Sequence, residues 1–119
     1  MQKVLINAVT ATTTSDAEEV SNLKDISFQV TSAAVTSGTG TLSVDVSNDG
    51  ANWETDIAFI NSVSTTPATR VVSLATSGNA DTKFAFLGRD FSAKFIRVKL
   101  TFATDGNYTV VMHSNKITS

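Results

Sequence analysis

From Phe95 to Phe102 the chain alternates apolar and polar side chains without a break, with Ile96, Val98, Leu100 and Phe102 on one side and Arg97, Lys99 and Thr101 on the other. A repeat of two residues is the period of a β-strand, and a single apolar side means a single buried face. A helix would scatter the same residues around its circumference. The turn segment Thr104-Asp105-Gly106-Asn107 comes next, and Tyr108 to His113 continues as another strand-like run. Asp-Gly supplies the positive φ angles that tight turns need, so the spacing predicts a C-terminal β-hairpin.

The same reading extends over the rest of the chain. Val4 to Thr10 is strand-like, as is Ile26 to Val35; a turn through Ser37 to Gly40 then leads into Thr41 to Val46, with Leu42, Val44 and Val46 inward, which predicts another hairpin. Ser47 to Asn52 is a turn that delivers Trp53 and a strand toward Ile57 and Phe59, and Thr69 to Leu74 and Lys83 to Phe86 add two more strands. Ser62 to Ala68, with Pro67, and Ala75 to Asp81 read as loops, whereas Asp16 to Val20 suits a helical turn or a strand edge equally well. Thr and Ser make up about a quarter of the chain, a strand-favouring composition. The expectation is one all-β domain over residues 1–119, an antiparallel β-sandwich of about eight strands.

Composition narrows the class of function. Charged residues are 17% and hydrophobic ones 41%, which suits an ordinary folded domain and gives no run long enough to span a membrane as a helix. The chain contains no cysteine, so a disulfide framework and thiolate metal ligation are both ruled out. Asn7 and the Thr-rich segment after it break the pattern of a signal peptide, so the chain is expected to be unprocessed and synthesised in a cytoplasm. Charge is uneven along the sequence. Up to residue 60, eight carboxylates from Asp16 to Asp56 face only Lys3 and Lys24, and beyond it seven basic residues outnumber Asp81, Asp90 and Asp105. Opposite patches of this kind would favour head-to-tail packing of copies if the fold kept them apart.

Candidate chemistry is sparse. His113 is the sole histidine, too few for a triad or a zinc site, and no Gly-rich phosphate loop occurs. Asp45, Asn48, Asp49, Asn52, Glu54 and Asp56 crowd one segment and supply oxygens of the kind calcium takes, but Asn-Asp-Gly is also what a tight turn demands of its backbone. Lys94, Arg97 and Lys99 form a modest basic stripe in a chain of net charge −2, which reads as a solvated sheet face and not as a nucleic-acid site. Trp53 suits either a sugar-stacking platform or a rim residue closing one end of a sandwich. No catalytic residue, cofactor or metal ligand is expected.

Ser47-Asn48-Asp49-Gly50-Ala51-Asn52-Trp53 has the form S-x-D-G-x-x-W, and Phe95-Ile96-Arg97-Val98 follows as aromatic-I-R-apolar. Together they resemble two groups: discoidin-like jelly rolls that bind carbohydrate or lipid, and short Thr/Ser-rich virion proteins of tailed phages, among them capsid cement and decoration proteins. The lack of cysteine favours the second group. That resemblance implies a jelly-roll-like sandwich on the capsid surface of a virion, binding the major capsid protein and associating with its own copies, with a trimer expected. Lys3, Val4, Leu5, Trp53, Arg97 and Lys99 are the candidate contact residues. A place in the tail, baseplate or a fibre, and a carbohydrate-binding module built on Trp53, are the alternatives.

Overall fold

In the computed structural model, which describes residues 1–61, 70–88 and 91–117, the chain forms strands β1 (Gln2–Val9), β2 (Thr13–Thr14), β3 (Glu18–Glu19), β4 (Leu23–Ala33), β5 (Thr39–Ser47) and β6 (Phe59–Asn61). These are followed by β7 (Arg70–Val71), β8 (Leu74–Ala75), β9 (Thr82–Phe86), β10 (Phe95–Ala103) and β11 (Asn107–Lys116). The predicted loop Ser62 to Ala68 lies outside the described residues. The strands make two antiparallel sheets, a large one ordered β1-β11-β4-β9-β6-β7 and a small one ordered β2-β10-β5-β8, with β3 also pairing β10.

The all-β sandwich is as expected, with eleven strands in place of about eight. The difference comes from short pieces at the sheet edges. β2 and β3 both pair with β10, at Thr14↔Lys99 and Glu18↔Ile96, and act as one interrupted strand. Glu18 and Glu19 therefore lie on a strand edge, and the helical turn considered for Asp16 to Val20 does not form. Setting aside the antiparallel pair β6–β7, what remains is two sheets in the orders β1-β11-β4-β9 and (β2, β3)-β10-β5-β8, the strand order of a jelly roll.

Jelly-roll connectivity corrects both predicted hairpins. β10 pairs with β5 in the small sheet while β11 pairs with β1 and β4 in the large one, so the Asp105-Gly106 turn is an arch from one sheet to the other and not a C-terminal hairpin. The connection from β4 to β5 crosses the same way. Alternation dictates that each strand buries one face, but strands in facing sheets satisfy that as well as strands in the same sheet. The core lies between: Phe28, Val30, Val110, Met112 and Tyr108 from the large sheet meet Leu42, Val44, Ile96, Val98 and Leu100 from the small one, all essentially inaccessible. Each such aliphatic or aromatic side chain contributes about 1.5–3 kcal/mol on burial.

The two arches are joined side by side. The Asp105 carboxylate accepts hydrogen bonds from the backbone N–H groups of Thr36 (3.0 Å) and Ser37 (3.3 Å), and the Tyr108 hydroxyl donates to the Asp105 carbonyl at 2.8 Å. A Cβ on Gly38 would lie 2.1 Å from the Asp105 carbonyl oxygen, so the arches can approach this closely only because residue 38 has no side chain. Gly106 takes φ +112° in the turn, as the Asp-Gly signal implies.

Burial pushes the Asp105 carboxyl up, but the backbone N–H groups of Thr36, Ser37 and Gly38 outweigh it and hold the group below the ordinary aspartate value. A carboxyl depressed in the folded state stabilises it at pH above the unfolded value of about 4, and that contribution disappears as pH falls through the folded value. Thermal melts between pH 7 and pH 2 are expected to show stability falling on the acid side, with a smaller acid loss in Asp105→Asn than in the parent. Gly38→Ala is expected to cost about 1–3 kcal/mol at neutral pH, read from urea unfolding, because Asp105 or its arch must move.

Candidate functional site

The outer faces of the two sheets differ in what covers them. On the small sheet, the segment after β5 folds back over the strands. Val46 and Glu54 exchange backbone hydrogen bonds at 3.0 and 2.9 Å, and the Ile57 N–H donates to the Val44 carbonyl, so residues 54–57 run beside β5. The turn leading there is built by Asp49. Its carboxylate accepts from the backbone N–H groups of Ala51 (2.9 Å) and Asn52 (2.8 Å), from the Asn52 side chain (2.7 Å) and from the Ser47 hydroxyl (3.0 Å). These bonds, the Asn52 N–H foremost, hold the Asp49 carboxyl well below the ordinary range. Both its oxygens are spent on the turn. Among the described residues, no group of three or more His, Asp or Glu side chains is placed to hold a metal ion.

That loop sets Trp53 over β10. The Arg97 guanidinium lies 4.1 Å from the centre of the Trp53 ring, and its Nε donates to Asp45 Oδ2 at 3.0 Å, while Asp45 Oδ1 accepts from the Asp56 N–H. Asp45 and Arg97 are opposite each other in the β5–β10 register. Under this cover Asp45 is only 5% exposed although it points away from the core. Trp53, Arg97 and Lys99 thus lie on the same side of the small sheet, Trp53 from the loop and the other two from β10, but Arg97 is committed to Asp45 and Trp53, and one face of the indole is occupied by the guanidinium. Lys99 is exposed.

Lys3, Val4 and Leu5 lie on β1, at the edge of the other sheet, and each does something different. Lys3 Nζ reaches 2.7 Å from Glu18 Oε1 on β3, an ion pair that joins the edges of the two sheets. Leu5, next to an irregularity in the β1–β11 register, packs against the core. Val4, opposite Val111, is 50% exposed on the outer face of the large sheet. The charges that alternate in blocks along the sequence are interleaved in space, because basic β10 sits between β5 and the Glu18–Glu19 strand.

The outer face of the large sheet lacks a covering loop among the described residues, and it carries side chains that sequence reasoning missed. Phe84 and Phe86 stack with ring centres 6.2 Å apart, and Phe84 is 42% exposed. The register puts Phe86, Ser27, His113 and Gln2 in one row across four strands, and Phe84, Gln29, Val111 and Val4 in the next. Between them is a shallow groove of about 440 Å³. The signal was present as Lys83-Phe84-Ala85-Phe86, but alternation alone leaves open which parity faces inward. Ala85 is the buried one, opposite the buried Phe28 in the β4–β9 register.

Fold and faces together define a jelly-roll sandwich in which a loop covers Asp45 and Arg97 on one outer face, while the other has no covering loop among the described residues. No protein-family model matches the chain, and no curated protein matches it in sequence. The structure is similar to the crystal structure of the SPBc2 prophage-derived protein YomS, with a TM-score of 0.67 at 9% identity, covering 97% of this chain and 92% of that one. At this identity the likeness is one of fold. No helix among the described residues is long and apolar enough to cross a membrane.

Arg97→Ala is expected to destabilise the domain by about 2–3 kcal/mol, since it leaves the Asp45 carboxylate buried without its cation. Lys99→Ala, two residues along on the same face, is expected to change stability by less than about 0.5 kcal/mol. Urea unfolding followed by the emission of Trp53, the sole tryptophan, reads both, and the Arg97 change should also shift the folded-state emission.

Proposed function

We propose that this chain is a structural protein of a tailed-phage virion, a decoration or cement protein that binds the major capsid protein on the head surface and acts by binding and not by catalysis. The observation that carries the reading is the likeness in fold, over nearly the full length of both chains, to a protein described as prophage-derived. The use of the polar side chains supports a binding role. Asp45, Asp49 and Asp105, together with Arg97, are each engaged in holding a loop or an arch.

The capsid contact is assigned to β1, which ends the large sheet. An edge strand can extend a neighbour's sheet through backbone hydrogen bonds, and the irregular β1–β11 register limits such pairing to a short stretch and so guards against indiscriminate association. The carbohydrate-binding alternative is weakened by the Arg97 guanidinium on the Trp53 ring, which occupies one of the two ring faces a sugar would stack on.

Quantitative mass spectrometry of purified particles from the phage that carries this gene tests the reading. Copies in the hundreds, retained on isolated heads, are expected. A handful of copies that fractionate with tails would move the protein to the tail, baseplate or a fibre, and absence from particles would overturn the virion reading altogether.

A further inference from the structure

The bare face of the large sheet has a composition unlike that of the rest of the surface. Its two central rows combine apolar side chains, chiefly Val4, Val111, Phe84 and Phe86, with the amides of Gln2 and Gln29. His113 is the one ionisable side chain in those rows, although Asp, Glu, Lys and Arg make up 17% of the chain. Among the described residues, the charged side chains nearest these rows are peripheral, at Lys24 and Asp25 near the start of β4 and at Arg70 on β7.

We propose that this face is where a second copy of the chain docks, sheet against sheet, about a two-fold axis. A two-fold interface sets each surface against itself, so an ionised side chain near the axis would meet its own like charge. Amides and hydroxyls avoid that conflict because each carries both a donor and an acceptor and can pair with its own counterpart. The face is therefore self-complementary in hydrogen bonding as well as free of like-charge repulsion. Its relief is self-complementary too, since it offers both half-exposed apolar side chains and a groove of about 440 Å³ to receive them.

Its size is sufficient. Strands β1, β11, β4, β9 and β6, at spacings of about 4.8 Å and about 3.3 Å per residue, give a flat area on the order of 600 Å². That is the lower end of what each partner contributes to a specific interface. An interface of this size is compatible with a reversible dimer of about micromolar strength, and the lack of Asp, Glu, Lys and Arg in its central rows makes it insensitive to salt. Two-fold docking differs from the trimer that the family resemblance implies, and it leaves the edge of β1 open to another partner.

Sedimentation equilibrium of the full chain between about 1 and 500 µM tests this, a range that brackets micromolar affinity. A monomer–dimer equilibrium is expected, unchanged between low and high sodium chloride. Phe84→Glu and Gln29→Lys each place a charge against its own copy and are expected to raise the dissociation constant at least about tenfold. Both positions face solvent, so the circular dichroism and melting of the variants should match the parent, and either variant suffices if the other fails to fold. Lys99→Glu, on the opposite sheet, is expected to leave the dimer unchanged. A monomer at every concentration, a trimer without a dimer, or a dimer that withstands both substitutions would overturn the proposal. The virion reading is decided separately, by the content of particles.

Discussion

The junction of the two arches at one end of the sandwich is the constraint on which the rest of the structure depends. Apart from β5 and β8, which are neighbours in one sheet, each jelly-roll strand is followed by a crossing to the opposite sheet, so no local turn holds the two sheets in register. The arches from β4 to β5 and from β10 to β11 connect four of the longest strands, which pair β4 with β11 and β5 with β10 at the middle of each sheet. Asp105 ties these arches through backbone N–H groups of Thr36 and Ser37, and Tyr108 fastens the turn from the core side. Once four central strands are placed, the others add at their margins: β1 on β11, β9 on β4, β8 on β5, and the interrupted β2–β3 on β10.

Much of this was legible in the residues, and the part that was not has a physical reason. The alternation from Phe95 to Phe102 predicts which side chains enter the core, and Ile96, Val98 and Leu100 do. Alternation says nothing about which sheet a strand joins, because a hairpin and an arch bury the same parity of residues. The distinction lies in long-range contacts such as Gly38 against Asp105, separated by most of the chain, for which a local pattern has no signature. The short strands were missed for a related cause. Thr13–Thr14 and Glu18–Glu19 are strand because β10 offers an edge to pair with, and their own sequence favours no particular structure.

The candidate surface was less legible than the fold. Trp53 and Arg97 drew notice as the residues of a recognisable turn and stripe, and they do come together, but to close the protein's own loop over Asp45. Val4 is a candidate contact residue in sequence, and its exposure comes from the register with Val111, which turns it outward. Phe84 and Phe86 gave no functional signal in sequence because aromatic residues in a strand are ordinarily read as core. Their outward parity is set by the β4–β9 register, which pairs Ala85 with the buried Phe28, a tertiary fact.

The contrast between the two outer faces is what gives the bare one meaning. An exposed aromatic residue is by itself unremarkable, since more than half of a folded protein's surface is apolar. The small sheet nevertheless has a different outer face: it places charged and hydroxyl side chains there, and Asp45 is covered by a loop held by Asp49. The large sheet has the opposite arrangement, with stacked phenylalanines and amides at the centre and, among the described residues, charged side chains only at the margins. A face kept free of charge costs solubility when it is left open, and that cost is offset when another surface covers it. Among surfaces that could do so, one bearing the same amides, hydroxyls and apolar side chains matches it group for group, which is why a second copy is the partner the chemistry favours.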